Sequence, residues 1–149
     1  GQGARGWCPA ASSETTRGMR QRCPCGLKLP LEACCGRYIS GAEVPETAAE
    51  LMRSRYTAYC VGAVDYLLAT TVAARRAVTD RAQLADYCAG LRGVSLKILE
   101  TEAGGPHDDG GVVAFEARLS YCGRAFVQRE RSNFVREDGR WVYVDGQVR

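Results

Sequence analysis

The sequence predicts an α+β protein in which a small metal-binding module precedes one mixed domain. Apolar residues follow a helical period between residues 45 and 91, then alternate with a period of two from Val94 onward. Helices followed by a meander of antiparallel strands are typical of α+β domains. Four cysteines crowd into residues 23–35, ahead of both patterns. The chain of 149 residues has room for one domain and a short appendage.

Composition narrows the class of protein. The hydrophobic fraction of 46% and the charged fraction of 25% are typical of soluble globular proteins. The net charge of +3 is too small, and the charges are too mixed, to indicate a nucleic acid or an anionic membrane on that ground alone. No apolar run approaches the roughly 18–20 residues that a membrane-spanning helix needs. We therefore expect a soluble protein without a membrane span.

Residues 1–22 show no hydrophobic period and are rich in Gly, Ser, Thr, Arg and Ala. We expect an extended tail, which can become ordered against a partner. A Ser- and Arg-rich, acid-poor leader also resembles the remnant of an organelle transit peptide, which would place the protein in a stroma or matrix rather than in the cytoplasm. The basic residues allow RNA or ribosome association as the weakest partner hypothesis. They are Arg5, Arg17, Arg20, Arg22 and Lys28.

The eight cysteines are compatible with two interpretations. The chain is either a secreted protein with a disulfide framework, or an intracellular protein whose cysteines are free thiols or metal ligands. Four of them lie within thirteen residues, including the adjacent pair Cys34 and Cys35, whereas Cys60 and Cys88 fall singly in predicted helices. A disulfide framework would spread its bridges to close long loops. The spacing favours reduced cysteines in a reducing, intracellular compartment. We expect Cys60, Cys88 and Cys122 to be small buried apolar side chains.

The cysteine cluster predicts a structural zinc site. Cys23 and Cys25 flank a proline, and Cys34 and Cys35 follow eight residues later. Tetrahedral zinc takes four ligands, commonly from two short knuckles. Four thiolates leave no position for water, so the site is structural rather than catalytic. The pattern C-x-C-x8-C-C resembles the SEC-C zinc motif of the translocation ATPase SecA, with Cys35 where that motif has a histidine.

Three helices are predicted before the strands. Pro45-Glu46-Thr47 opens the first, and Gly62 ends it. One face of this helix carries Ala48, Met52, Arg55, Tyr56 and Tyr59. A short helix over residues 65–70 and a third over residues 80–91 follow. The predicted domain boundaries are therefore a tail over 1–22, a zinc knuckle over 23–40 and an α+β domain over 41–149.

Four strands complete the domain. Alternating patterns predict strands over residues 94–99, 113–121, 125–136 and 141–145. A Gly-rich turn over residues 104–111 separates the first two, and Glu137-Asp138-Gly139-Arg140 forms a hairpin loop before the last. The one histidine, His107, lies in the Gly-rich turn beside Asp108 and is expected to be exposed to solvent.

Several segments resemble the YchJ family, which joins a SEC-C motif to a domain similar to nuclear transport factor 2. They are Leu51-Met52-Arg53-Ser54-Arg55-Tyr56, Asp65-Tyr66-Leu67, Glu130-Arg131-Ser132-Asn133-Phe134 and Trp141-Val142-Tyr143-Val144-Asp145-Gly146. The resemblance implies a cone, with helices packed on a curved antiparallel sheet around a cavity, and it implies no agreed reaction. The Trp-His-Pro usual after the second helix is absent, because Thr70 is followed by Thr71-Val72-Ala73. Catalysis through a histidine is therefore unsupported.

Arg55 is the informative residue of the domain, because it lies in the middle of an apolar stripe. A buried guanidinium needs a partner, and Glu130 and Ser132 share one face of a predicted strand. The favoured interpretation is an Arg55–Glu130 ion pair that ties helix to sheet. The alternative is a pocket for an anion or polar metabolite, lined by Arg55, Tyr56, Tyr59, Glu130 and Ser132.

The functional hypothesis from sequence is a non-catalytic zinc-binding interaction protein, an accessory subunit or adaptor of a larger complex. The closed ligand set and the lack of a nucleophile beside a general base favour it. The knuckle and the cationic tail would contact the protein partner, with the cone as a scaffold. The alternative is a small-molecule-binding or enzymatic cone around Arg55 and Glu130.

Overall fold

The computed structural model describes residues 21–149. The predicted tail, with Arg5, Arg17 and Arg20, lies outside the described residues apart from its last two positions. The elements in chain order are a short 3-10 turn, five helices and four strands. They are the turn Leu31–Ala33, α1 (Gly36–Ile39), α2 (Ala48–Val61), α3 (Val64–Ala69), α4 (Ala73–Arg76), α5 (Arg81–Gly90), β1 (Leu91–Ala103), β2 (Gly110–Tyr121), β3 (Arg124–Glu137) and β4 (Arg140–Val148).

The strands form one antiparallel sheet in the order β1-β2-β3-β4, as the sequence predicts. Each strand is longer than its predicted range. Register shifts interrupt β1 at Gly93/Ser95 and at Ile98/Glu100, and a third lies between Asn133 and Phe134. Such bulges bend strands and increase their twist. The sheet can therefore curve around the helices that pack on its inner face.

Helix α2 begins and ends at strong signals. Thr47 Oγ1 accepts a hydrogen bond from the Glu50 N–H, and the Glu50 carboxylate accepts one from the Thr47 N–H, which completes a capping box. At the other end Gly62 takes a φ of 79°, a left-handed conformation that favours glycine. Asp80 caps α5 through the N–H groups of Ala82 and Gln83. The helices α1 and α4 were not predicted, since four residues show no period.

Two long-range contacts hold β4 against the helical part of the chain. The Trp141 indole donates a 2.9 Å hydrogen bond to the Glu46 carbonyl, which holds β4 against the start of α2. On the other side, Tyr143 N–H donates to Thr70 and Val72 N–H donates to Tyr143, at 2.8 and 2.9 Å. The segment between α3 and α4 thus pairs with β4. Within residues 21–149, none of the helices is long and apolar enough to cross a bilayer.

The knuckle and the cone share one hydrophobic core. The four clustered cysteines pack in the same buried group as residues of α2 and of every strand, among them Leu51, Tyr56, Leu96, Val113, Phe134 and Trp141. A second, smaller group joins α2 to α3 and α5 through Ala58, Val64, Leu67 and Cys88. Helix α2 is therefore the central element of the fold, because the knuckle, the sheet and the helices α3 and α5 all pack against it.

Candidate functional site

The four knuckle cysteines converge as a metal centre requires. The Sγ atoms of Cys23, Cys25, Cys34 and Cys35 all lie within 4.8 Å of one another, and all four residues are buried. Cys25 Sγ and Cys34 Sγ are 3.6 Å apart. Tetrahedral Zn–S bonds of about 2.3 Å place sulfur atoms about 3.8 Å apart, so the donor set fits zinc. The fold thus brings together the four cysteines that the sequence predicts as metal ligands.

Local backbone geometry explains this convergence. A small hairpin pairs Cys23 N–H with the Leu29 carbonyl at 2.8 Å. Its turn uses Gly26 and Lys28 at positive φ. A 3-10 turn then directs Cys34 and Cys35 back toward the first pair. Gly36 is required at the exit, because a Cβ there would overlap the Leu31 carbonyl oxygen.

The electrostatics of the cluster also fit a cation. Hydrogen bonds from Cys25 and Cys35 lower the pKa of Cys23, whereas burial raises the pKa of the Cys34 thiol to about 12. Hydrogen bonding to Cys23 raises the pKa of Cys35 as well. One thiolate in the cluster thus disfavours the next. A zinc ion would hold all four as thiolates and would fold the segment around itself.

Helix α2 supports the cysteine cluster from behind. Thr57 is fully buried, and its Oγ1 lies 3.4 Å from Cys23 Sγ. Arg53 donates a 3.0 Å hydrogen bond from Nη1 to the Cys25 carbonyl. Neither residue was predicted as part of the site. The sequence shows them only as polar residues of α2, and the contact depends on how the knuckle docks.

A cavity of about 250 Å³ lies between α2 and the inner face of the sheet. All five residues of the predicted pocket line it, together with Met52, Arg75, Tyr87, Leu91, Phe115, Ala117, Leu119, Gln128 and Tyr143. Whether the cavity binds a ligand stays a prediction.

The expected Arg55–Glu130 ion pair is wrong. Arg55 is 5% exposed, and among residues 21–149 it forms no ion pair with a carboxylate. Its Nη1 donates instead to the carbonyls of Leu67 and Thr70, at 3.0 and 3.2 Å, and to the hydroxyls of Thr70 and Thr71. These carbonyls end α3, where the helix dipole is negative. The guanidinium ties α2 to α3, and helical period alone could not show this.

Tyr143 separates the two charges. The Arg55 guanidinium lies 4.8 Å from the centre of the Tyr143 ring, and the Tyr143 hydroxyl donates to Glu130 at 3.1 Å. Burial lowers the pKa of the Arg55 guanidinium, and the nearby Tyr59 hydroxyl opposes this shift. A guanidinium stays protonated in proteins even so. Burial, with the Glu130 charge beside it, raises the pKa of Tyr143.

Glu130 is held by three donors. Gln128 donates to Oε1 at 2.7 Å, and Ser132 and Tyr143 donate to Oε2 at 2.8 and 3.1 Å. Gly146 faces this carboxylate from β4, and a Cβ at that position would overlap it. The predicted place of Ser132 beside Glu130 is thus correct, although the network centres on Tyr143 rather than on Arg55.

The second cation of the cavity is Arg75, which sequence reasoning missed. It is exposed, lies 5.7 Å from the centre of the Tyr143 ring and has no ion pair within the described part of the chain. It belongs to the unpredicted helix α4, which the pairing of Val72 with β4 places at the cavity. No local signal in the sequence reveals that pairing.

The remaining singled-out residues lie elsewhere. His107 is exposed in the turn between β1 and β2 and does not line the cavity. Cys88 is buried, as expected, and Cys60 is partly buried with a pKa raised to about 11 by burial. The expectation for Cys122 is wrong, because it is exposed at the turn between β2 and β3 and takes part in a disulfide.

The fold and the cysteine cluster define a cone of the nuclear transport factor 2 type, joined to a four-cysteine knuckle. Residues 47–146 match the model of a family described as the middle, NTF2-like domain of YchJ. The chain is also 45% identical over 130 residues to a "UPF0225 protein" of Chromobacterium violaceum, covering 87% of this chain and 94% of that protein. The chain therefore belongs to the YchJ family, as its motifs indicated.

Solved structures agree with this assignment. A SEC-C motif containing protein from Rhodopseudomonas palustris superimposes with a TM-score of 0.75 at 29% identity, covering 85% of this chain and 98% of that one. A SEC-C motif containing protein from Psychrobacter arcticus gives a TM-score of 0.73 at 22% identity, covering 87% and 83%. The second likeness shows the fold alone.

Proposed function

We propose that this protein binds a small organic anion inside its cone. The observation that carries the proposal is the charge imbalance of the cavity. Arg55 and Arg75 both line it and neither has a carboxylate partner in residues 21–149, whereas the three donors already hold Glu130. A buried cation without an anionic partner attracts an anion strongly, since the surroundings screen it weakly.

The arrangement of Arg55 favours this function over a purely structural tie. Its four hydrogen bonds to Leu67, Thr70 and Thr71, in and just after α3, all come from one nitrogen, Nη1. A guanidinium has five N–H donors in a planar fork, which matches a carboxylate. The tie to α3 and an anion in the cavity are therefore compatible roles of the same side chain.

Binding can be tested by NMR on the full, zinc-loaded chain. Acetate is titrated while the Nε–Hε signals of Arg55 and Arg75 are followed, with sodium chloride added to the reference at equal ionic strength. We expect saturable shifts with acetate and none with acetamide, which has the same shape without the charge. Arg75→Gln should weaken acetate several-fold. Equal responses to acetate and acetamide, or none to either, would refute the proposal.

The adaptor role is a second candidate, supported by the surface of the knuckle. Leu27 and Leu29 are 49% and 43% exposed on the hairpin between the two cysteine pairs. Apolar side chains on a rigid, metal-held hairpin suit contact with a protein partner. Affinity purification of the native complex would test this, with Leu27→Ser/Leu29→Ser as the matched variant. A stoichiometric partner that the variant loses supports the role, and recovery of the bare chain in both cases contradicts it.

A further inference from the structure

We infer that the anion is an amphipathic monocarboxylate, with its carboxylate on the arginines and a compact apolar body, of the size of one aromatic ring, in the other half of the cavity. This inference rests on the proposed anion-binding function and names the ligand class for that site. Four features of the cavity lead to it: the division of its sheet wall, the matching division of α2, its charge and its volume.

The sheet wall of the cavity is divided lengthwise between two strands. From β3 come Gln128, Glu130 and Ser132, which are polar, and from β2 come Phe115, Ala117 and Leu119, which are apolar. The register sets Phe115 beside Glu130 and Ala117 beside Gln128. Neighbouring strands lie about 4.8 Å apart, so a polar strip and an apolar strip run side by side. A ligand that contacts both must have a polar and an apolar part.

Helix α2 repeats this division on the opposite wall. Met52 and Tyr56 are one turn apart and so form one row, and Arg55 and Tyr59 form the next. Arg55 contacts Tyr143 of β4, which places its row over the polar strip. Tyr56 reaches Gly93 of β1, so that its row lies over the apolar strip. We call these the polar half and the apolar half of the cavity.

The charge of the polar half selects a monoanion. Two arginines and one carboxylate line the cavity, which leaves one positive charge. The carboxylate of the protein already has three donors, so it demands no cationic group from the ligand. Among monoanions, a carboxylate matches the planar fork of a guanidinium.

The volume and the opening limit the body of the ligand. An apolar cavity of about 150 Å³ accommodates a benzene molecule, and this cavity has about 250 Å³ for the head and the body together. Its exposed lining residues are Arg75 and Tyr87, which mark the opening. The Tyr87 ring stacks on the Tyr121 ring, with ring centres 5.2 Å apart, and forms a T-shaped pair with the Tyr59 ring, with ring centres 6.2 Å apart. A single ring with a short acidic arm fits, and a larger ring system does not.

The test compares three probes on the full zinc-loaded chain by calorimetry and NMR: phenylacetate, acetate and phenylacetamide. We expect phenylacetate to bind about 100-fold more tightly than acetate, because the ring leaves water for the apolar half. Phenylacetamide, with the same ring and no charge, should bind at least about tenfold more weakly than phenylacetate. Equal affinity for acetate and phenylacetate would overturn the inference and leave anion binding intact. Failure of both acids would remove both proposals.

Ala117→Leu provides the matched variant. Ala117 is buried at the sheet wall of the apolar half, and the added side chain would occupy the space assigned to the ring. We expect the variant to lose the advantage of phenylacetate and to keep its response to acetate. Unchanged phenylacetate binding would contradict the inference. The comparison of probes on the unaltered chain decides the question even when this variant folds poorly.

Discussion

The Arg55 guanidinium lies 4.8 Å from the centre of the Tyr143 ring, and the hydroxyl of that ring donates to Glu130. The tyrosine ring therefore lies between the buried Arg55 cation and the buried Glu130 carboxylate, which carry opposite charges. Nη1 of the cation donates to the carboxyl end of α3, and the anion accepts from three donors of the sheet. Helix and sheet are thus joined through an aromatic ring rather than through an ion pair.

Arg55→Gln should lower the free energy of unfolding by about 2–3 kcal/mol, because it removes the charged donor that ties α2 to the carbonyls of Leu67 and Thr70. Chemical denaturation measures this. Arg75→Gln is the control: its side chain is exposed, and its loss should change stability by no more than about 0.5 kcal/mol. Equal stability of the two variants would show that the α3 contacts contribute little.

Gly146→Ala should destabilise the fold by about 2 kcal/mol, because the new Cβ overlaps the Glu130 carboxylate. Glu130→Ala removes the obstacle and also leaves Ser132 and Tyr143 without an acceptor. The double variant should therefore be more stable than the sum of the two single losses implies. A double-mutant cycle by thermal unfolding measures the coupling, and strict additivity would contradict the close contact.

Glu130→Gln distinguishes the two roles of the polar half. The amide still accepts from Ser132 or Tyr143, so the loss of stability should stay near about 1 kcal/mol. The cavity loses its one negative charge, and acetate should bind several-fold more tightly. Paired denaturation and NMR titration supply both readouts. A fold that weakens slightly while acetate affinity is unchanged would favour a purely structural network.

The knuckle should bind one zinc ion per chain, and Thr57 should help to retain it. Thr57→Val removes the hydroxyl beside Cys23 Sγ while keeping the shape of the side chain. Loss of such supporting contacts commonly costs about tenfold or more in metal affinity. Competition with a chelator, read by a colorimetric indicator, measures the difference. Thr79→Val, at an exposed threonine outside the knuckle, is the control and should retain zinc as the unaltered chain does.

The free energy of unfolding should fall at alkaline pH as Tyr66 loses its proton. Burial raises the pKa of Tyr66 from 10.0 to about 12, and its hydroxyl lies 2.7 Å from Ser54 Oγ. The folded protein favours the neutral phenol. The contribution of Tyr66 to the free energy of unfolding is therefore complete below pH 10.0 and is lost as pH rises to about 12. Denaturation across this range measures the loss. In Tyr66→Phe the same fall should be smaller, and an identical fall would assign it to other groups.

The order of elements was readable from the sequence because each major one carries a local signal. The capping residues Thr47 and Gly62 fix α2, and the alternating strands fix the meander and its inner face. The cysteine spacing indicated the cluster because its four cysteines come from one short segment. These features depend on residues close together in the chain, for which period and turn chemistry are sufficient guides.

The contacts inside the cavity could not be read in this way. Period placed Arg55 and Glu130 on facing surfaces, but it gives no distance between them. The pairing of Thr71 and Val72 with Tyr143 brings a ring between the two and sets Arg75 at the opening. That pairing joins segments about seventy positions apart and leaves no local trace. The residues of the site were predictable, whereas their partners were not.

The common core of knuckle and cone has a consequence for how the chain can be divided. The region that matches the family model begins at residue 47, yet α2 presents Thr57 to the cysteine cluster rather than to solvent, and it shares one buried core with that cluster. A fragment cut at that boundary would expose a face that the knuckle normally covers. The region that matches the family model is thus smaller than the region that folds as one unit. Excising the cone alone for biophysical work would yield an aggregation-prone fragment.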